Sequence, residues 1–244
     1  MAIIDIHTHI LYGIDDGATD LEMSLRLIDM EYDQGVRGIF LTNHSYGMEE
    51  KSGLYYVRFD EIAGICKERY PDLKLYKGCE ILCYRDEMDD IFRNIEDGIF
   101  PTMNGTKYIL MEFDPHYTDG MDEMTYCAKY ALDKGYIPIL AHVERYKSLY
   151  DEPLSDLKHL KDLGCKVQIN LYSVEQDKGT VGGGSRKELA NLFLKHKLVD
   201  FVGTDTHNLG YKSPEAAVGA KALRDKYGDE YADRVLYENV RGVL

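Results

Sequence analysis

The sequence predicts an α/β protein whose parallel strands close into a barrel of seven rather than eight. Two observations carry this. Short β-rich runs alternate with stretches of helical periodicity along the chain. Seven such runs can be counted, each followed by a helix or by a loop containing one. Alternation of this kind implies parallel pairing through helical crossovers. An open doubly wound sheet meets the same condition, and periodicity does not choose between the two. No long Pro/Ser linker, low-complexity tract or shift in composition divides the chain, so residues 1–244 read as a single domain.

The elements follow in order. Residues 3–7 form the first strand. Residues 21–34 carry apolar side chains at helical spacing (Leu21, Leu25, Ile28), with Asp20 placed as an N-cap and Gly35 as the stop. Residues 36–43 are the second strand. A helix over 55–70 stops at Pro71, and 73–82 is one extended run. A short helix over 88–95 precedes a strand at 108–113. Helix 121–134 is closed by Gly135, strand 136–142 follows, and helix 153–163 is closed by Gly164. Strand 166–170, helix 186–197, strand 198–203 and helix 214–227 complete the series. The Gly-rich stretch 178–185 (KGTVGGGS) reads as a flexible loop, because it lacks the Lys-Ser/Thr ending of a P-loop.

Composition narrows the function. The chain is 44% hydrophobic and 30% charged, with mean hydropathy −0.38, as in soluble globular proteins. No run approaches the ~18 apolar residues of a membrane span. The opening MAIIDIHTHI has neither the basic nor the apolar segment of a secretory signal. Five Cys without regular spacing argue against a disulfide framework, so a cytoplasmic location is expected. A net charge of −14 disfavours nucleic acid. It leaves an acidic ligand open, since bound metal ions reverse local charge.

The chemistry gathers where strands end. His7 and His9 close the first strand, and His44 follows the second. Glu80 lies on the third, Glu112 ends the fourth, and His142 ends the fifth. Asp205 and His207 follow the seventh. In a parallel barrel the C-terminal strand ends share one face, where active sites form. Asp16, in the first loop, can join them. His-x-His at a strand end aims both imidazoles to one side, and Asp205-x-His207 repeats the geometry with a carboxylate. Glu80 and Glu112 sit in apolar runs (KLYKGCEIL and YILMEF). A buried unpaired carboxylate costs several kcal/mol or takes up a proton, and cations relieve that cost. A buried pair with Arg or Lys is the structural alternative for each, and Asp15-Asp16 before Gly17 could be only a turn. His116, His159 and His196 read as solvated.

Nine candidate ligands exceed the four of a closed zinc site and suggest two or three ions with bridging carboxylates. Nitrogen and oxygen donors without thiolate suit Mn, Fe or Zn. Such ions supply hydroxide at neutral pH and clamp phosphoryl oxygens during in-line attack. Arg145 follows His142 by three residues and could fork onto a substrate phosphate, or else pair with Glu144. Cys79 and Arg85 have the Cys-x5-Arg spacing of cysteine phosphatases. That loop normally needs Gly, and here it would hold the acidic Glu80 instead.

Together these residues resemble the PHP (polymerase and histidinol phosphatase) superfamily, from DIHTHI at residues 5–10 to TDTHN at 204–208. More narrowly they resemble the CpsB/CapC-type bacterial metal-dependent tyrosine phosphatases of capsule and exopolysaccharide regulation. The pieces are DIHTHILYGIDDGATD, YDQGVRGIFLTNH, the Glu80 strand, YILMEF, AHVERY and DTHNL. The resemblance implies a distorted, TIM-like (β/α)7 barrel holding three divalent ions, often manganese. It allots one ion to His7, His9, Glu80 and Asp205, and a second to Glu80, Glu112 and His142. A third falls to Asp16, His44 and His207. Asp16 and Glu112 stand where the histidinol-phosphatase branch often has His, which favours the tyrosine-phosphatase branch. Arg145 matches the family's phosphate-contacting arginine, and Lys212 stands where a second arginine is often found.

The expected activity is hydrolysis of phosphotyrosine by metal-bound hydroxide. Arg145 would neutralise phosphoryl charge, and Asp205 or His207 would be available for proton delivery. The implied substrate is the tyrosine-rich tail of a membrane-associated bacterial tyrosine kinase. A small-molecule phosphoesterase such as a histidinol-phosphate phosphatase is the alternative. The resemblance also allows a homo-oligomer, although no interface stripe stands out.

Overall fold

The computed structural model describes residues 2–115, 120–177, 180–181 and 184–244. In chain order, the first half contains β1 (Ile3–Thr8), α1 (Leu21–Asp33), β2 (Val36–Leu41), α2 (Ser45–Arg69), β3 (Lys74–Lys77), β4 (Glu80–Leu82) and α3 (Met88–Glu96). Next come β5 (Tyr108–Glu112), α4 (Gly120–Asp133), β6 (Ile137–Leu140), α5 (Pro153–Leu163) and β7 (Lys166–Asn170). A small hairpin, β8 (Thr180–Val181) and β9 (Gly184–Ser185), leads into α6 (Arg186–Lys195). β10 (Phe201–Gly203), α7 (Ala216–Tyr227) and α8 (Asp229–Asp233) complete the described elements. His116 and half of the Gly-rich stretch (178, 179, 182 and 183) lie outside the described residues.

The parallel strands form two sheets. One runs β1-β2-β3 and the other β10-β7-β6-β5-β4, every neighbouring pair parallel. The alternation in the sequence therefore reports the βαβ connections faithfully. Among the described residues a closed seven-stranded ladder is not formed. Single parallel bridges, Thr8 to Thr206 and His44 to Glu80, link the two sheets at their margins. Ile4 and Ile6 of β1, Phe40 of β2, Leu110 of β5, Ile139 of β6 and Phe201 of β10 pack into one cluster, so both sheets share an interior.

Local chemistry sets the element ends. The Asp20 carboxylate caps α1, accepting from Met23 N at 2.9 Å. Ser185 does the same for α6, accepting from Glu188 N at 3.1 Å. Gly164, at φ +117°, closes α5 in a conformation that L side chains rarely adopt. His159 and His196 are exposed, as their Lys-rich helices suggested.

Two elements differ from expectation. The extended run over 73–82 is two strands in different sheets, broken at Gly78 and Cys79. The buried Tyr55 hydroxyl fills the break, accepting from Gly78 N at 3.1 Å and lying 2.9 Å from Leu41 O. The break makes Glu80 the first residue of β4, directly opposite His44. The helix predicted to begin at Tyr55 begins at Ser45 instead and is kinked at Lys51. Residues 45–54 lack apolar periodicity and include Gly47 and Gly53, so tertiary contacts hold this first segment. Lys51 Nζ donates to Ile14 O at 2.9 Å, and a Cβ on Gly47 would stand 2.5 Å from that same oxygen.

Behind β1, the fully buried Glu31 accepts from the Thr204 and Thr206 hydroxyls at 3.1 and 3.4 Å. Burial and the neighbouring Asp5 carboxyl raise its pKa well above the ordinary value. A carboxyl raised by folding is protonated more readily in the native state, so its contribution is complete at low pH and is lost as pH rises. Glu31→Gln should therefore flatten the decline of stability as pH rises above the ordinary carboxylate range. Urea unfolding at a series of pH values measures this, and a slope equal to that of the unsubstituted protein would refute it.

Candidate metal centre

Glu80 is the hub of the centre. Its Oε2 lies 3.1 Å from His7 Nε2, 3.0 Å from His9 Nε2 and 3.1 Å from His44 Nδ1. Its Oε1 lies 2.7 Å from His142 Nε2. Asp205 Oδ1 stands 3.7 and 3.6 Å from the Nε2 atoms of His7 and His9. Glu112 reaches His44 at 3.3 Å and His142 at 3.4 Å. Asp16 Oδ1 lies 3.7 Å from His44 Nε2 and 3.6 Å from His207 Nε2. All nine residues singled out in the sequence converge, five imidazoles and four carboxylates. Their grouping is more shared than the resemblance implied. His44 faces Glu80 and Glu112 with one nitrogen and Asp16 with the other, and His9 belongs to the Asp16 group as well.

The donor set fits cations. Glu80 Oε2 is buried with three imidazole nitrogens near 3 Å, yet it makes no hydrogen bond. His44 Nδ1 and His142 Nδ1 are likewise buried without one. His7 Nε2 and His9 Nε2 face each other at 3.2 Å. Lone pairs aimed at one another in a dry interior are unfavourable until positive charge stands between them.

Outward contacts fix which ring nitrogen points in. His7 Nδ1 lies 3.3 Å from Gln168 Oε1, His9 Nδ1 2.8 Å from Asp15 Oδ2, and His207 Nδ1 2.8 Å from Asp205 O. Each partner can only accept, so each Nδ1 carries a hydrogen and Nε2 is the atom that faces the cluster. Asp15 also accepts from His44 N and Asn43 Nδ2, both at 2.7 Å. It is a positioning residue rather than only a turn. Gln168 Oε1 accepts from His142 N at 2.6 Å, and Asn170 Nδ2 donates to Asp205 Oδ2 at 3.0 Å. These two amides thereby grip two ligands held at positive φ, His142 at +31° and Asp205 at +56°. Gln168 and Asn170 escaped the sequence reading, and Asp15 entered it only as a turn residue. The i, i+2 spacing of Gln168 and Asn170 was visible, but amides do not look like ligands.

The electrostatics follow from burial opposed by charge. Burial lowers His7 and His44, yet the Glu80 carboxylate outweighs it, raising them to about 9 and about 10. Burial and Glu80 push Glu112 up, and its imidazole neighbours pull it down to about 2. Asp205 overcomes burial through Lys212, His7, His207 and Arg145 and stays well below the usual carboxylate range. Burial and His9 push His207 down to about 3.

Arg145 Nη1 donates to Asp205 Oδ2 at 3.2 Å. Glu144, its alternative partner in the sequence, turns away to accept from Asn170 N and Ser173 Oγ, both at 2.9 Å. Lys212 Nζ lies 3.0 Å from His207 Nε2, so it reaches the cluster. The cysteine-phosphatase spacing finds no support. Burial raises the Cys79 thiol well above its ordinary pKa, and Arg85 pairs with Glu123 at 3.5 Å. Every cysteine is buried and free.

A parallel α/β frame gathering imidazoles and carboxylates beside an arginine is the architecture of a metal-dependent hydrolase. The chain belongs to the CpsB/CapC family, whose model, described as capsular polysaccharide synthesis, CpsB/CapC, matches residues 3–244. It is 34% identical over 245 residues to the tyrosine-protein phosphatase CpsB of Streptococcus agalactiae serotype III, covering 99% of this chain and 98% of that one. Among solved structures it is similar to one from a study of Bacillus subtilis YwqE and Streptococcus pneumoniae CpsB, described as metal-dependent tyrosine phosphatases. That match has a TM-score of 0.78 and 26% identity, covering 99% of this chain and 94% of that one. The fold alone is shared with a histidinol phosphate phosphatase from Lactococcus lactis, at TM-score 0.58 and 16% identity, covering 92% and 94% of the two chains.

Gln168→Leu removes the acceptor that sets the His7 tautomer. Calorimetric titration of metal-stripped protein with Mn2+ should show affinity lowered about 10- to 100-fold. Gln168→Glu, which keeps an acceptor, should lose less, and equal affinities in all three proteins would count against the assignment.

Proposed function

We propose that this chain is a metal-dependent protein-tyrosine phosphatase, active in capsule or exopolysaccharide regulation. The observation that carries the reading is the buried Glu80 carboxylate ringed by four imidazoles, with the Arg145 guanidinium reaching the edge of the same cluster. Three divalent ions, manganese with iron or zinc as substitutes, would be held by His7, His9, Asp16, His44, Glu80, Glu112, His142, Asp205 and His207. Such ions supply Lewis acidity, which acidifies water and neutralises phosphoryl oxygens.

The chain's own groups do the rest. Arg145, anchored on Asp205 by one nitrogen, offers the remainder of its fork to a phosphate. Lys212 adds a point charge once His207 Nε2 turns to an ion. Asp205 and His207 serve first as ligands. Asp205 is held as a carboxylate and His207 as a neutral ring, which makes proton donation the weaker role for both. A phenol, with a pKa of about 10, leaves with little help from an acid.

The natural substrate in this reading is the tyrosine-rich tail of a membrane-associated bacterial tyrosine kinase. The protein would meet it in the cytoplasm, as a single catalytic domain able to form a homo-oligomer. Among the described residues no helix is long and apolar enough to cross a membrane. The two bridged sheets are read as a distorted (β/α)7 barrel of PHP type.

His7→Ala and Glu80→Ala should each abolish hydrolysis of p-nitrophenyl phosphate and of a phosphotyrosine peptide. Retention of most activity by either variant would overturn the mechanism. With equal metal loading, a substrate panel should favour the phosphotyrosine peptide; preference for histidinol phosphate would move the chain to small-molecule chemistry. Chelation should remove activity and Mn2+ restore it, as read by turnover before and after dialysis.

A further inference from the structure

Eight of the nine donors are sheltered by the fold, and Asp16 is not. Its side chain is 61% exposed, against 12% or less for the other eight side chains. An exposed carboxylate has rotamer freedom to lose, and fixing it costs conformational entropy that a buried ligand has already lost on folding. Something must hold it if it is to ligate well.

The structure places one group to do so. Tyr46 Oη donates to Asp16 Oδ1 at 3.1 Å, the same oxygen that faces His44 Nε2 and His207 Nε2. The Tyr46 ring stacks on His44, with centroids 4.8 Å apart and planes at 22°, so two neighbours on different elements fix its direction. The start of α2 is pressed against the loop that carries Asp16. Gly47 permits the close approach to Ile14 O, and Lys51 Nζ ties the next turn to the same oxygen.

We infer that Tyr46 is a positioning residue for the outermost cation of the centre, acting through Asp16: its hydroxyl holds the exposed carboxylate in register with His9, His44 and His207. The inference rests on the metal-dependent reading above and extends it to a residue that is not itself a ligand. An ordinary surface Tyr–Asp contact would contribute little to anything, so the two accounts separate by experiment.

The test uses Tyr46→Phe, which removes the hydroxyl and keeps the stacked ring. Metal-stripped full-length protein is titrated with Mn2+ by calorimetry, with bound metal counted by elemental analysis. One class of site should weaken about 10-fold or more while the others keep their affinity, and melting of the stripped protein should not move. Turnover of Tyr46→Phe should recover as Mn2+ is raised, which a purely structural defect would not allow. Asp16→Ala should produce the same selective loss, and adding Tyr46→Phe to it should change nothing further. Full affinity at every site in Tyr46→Phe, equal weakening of all sites, or an additive double variant would each overturn the inference. Failure of the unsubstituted protein to bind any ion is a separate result, and it would sink the metal-dependent reading itself.

Discussion

The centre depends on a single buried negative charge. Glu80 has no access to water, and an uncompensated carboxylate there would cost several kcal/mol. Four imidazoles crowd its two oxygens, drawn from the ends of β1, β2 and β6. The break before β4 is what brings this carboxylate inward. Had residues 73–82 run as one continuous strand, Glu80 would not stand opposite His44. Placement of the candidate donors and the irregularity of the sheet are thus one fact.

Around that charge lies a layer that never touches an ion in this reading yet decides how the ligands face. Asp15, Gln168 and the Asp205 carbonyl each take the Nδ1 hydrogen of a histidine. β7 ends without imidazole or carboxylate, but its two amides reach ligands on β1, after β6 and after β10. They act on His7 and His142 through Gln168 and on Asp205 through Asn170. Acceptors without charge suit the task, because another carboxylate would deepen the negative potential that the cluster already carries.

Much of this was legible in the sequence. Strand ends announce themselves because His, Asp and Glu interrupt apolar runs at places where a parallel sheet brings them to one face, and eight of the nine candidate donors were found that way, Asp16 being read from the first loop. Asp20 and Gly164 bound their helices by local chemistry, which a sequence shows directly. The break at Gly78 was hidden, since a hydroxyl 23 residues earlier fills it. The early start of α2 was hidden as well, because it is held by the Ile14 loop and not by its own propensity. Gln168 and Asn170 were visible in spacing and invisible in meaning. An amide's role depends on what lies across the interior from it, and no local signal carries that.

The two sheets meet through isolated bridges, and each bridge sits beside ligands. Thr8 lies between His7 and His9, Thr206 lies between Asp205 and His207, and the other bridge joins two donors directly. The fold thus leaves the wall of its scaffold unstitched at the place where inorganic charge would stand. In the metal-dependent reading, cations spanning that gap are masonry as well as reagent, because whatever binds only the native state adds its binding energy to folding. Supply of the ion would then govern how long the protein survives in the cell as well as how fast it works.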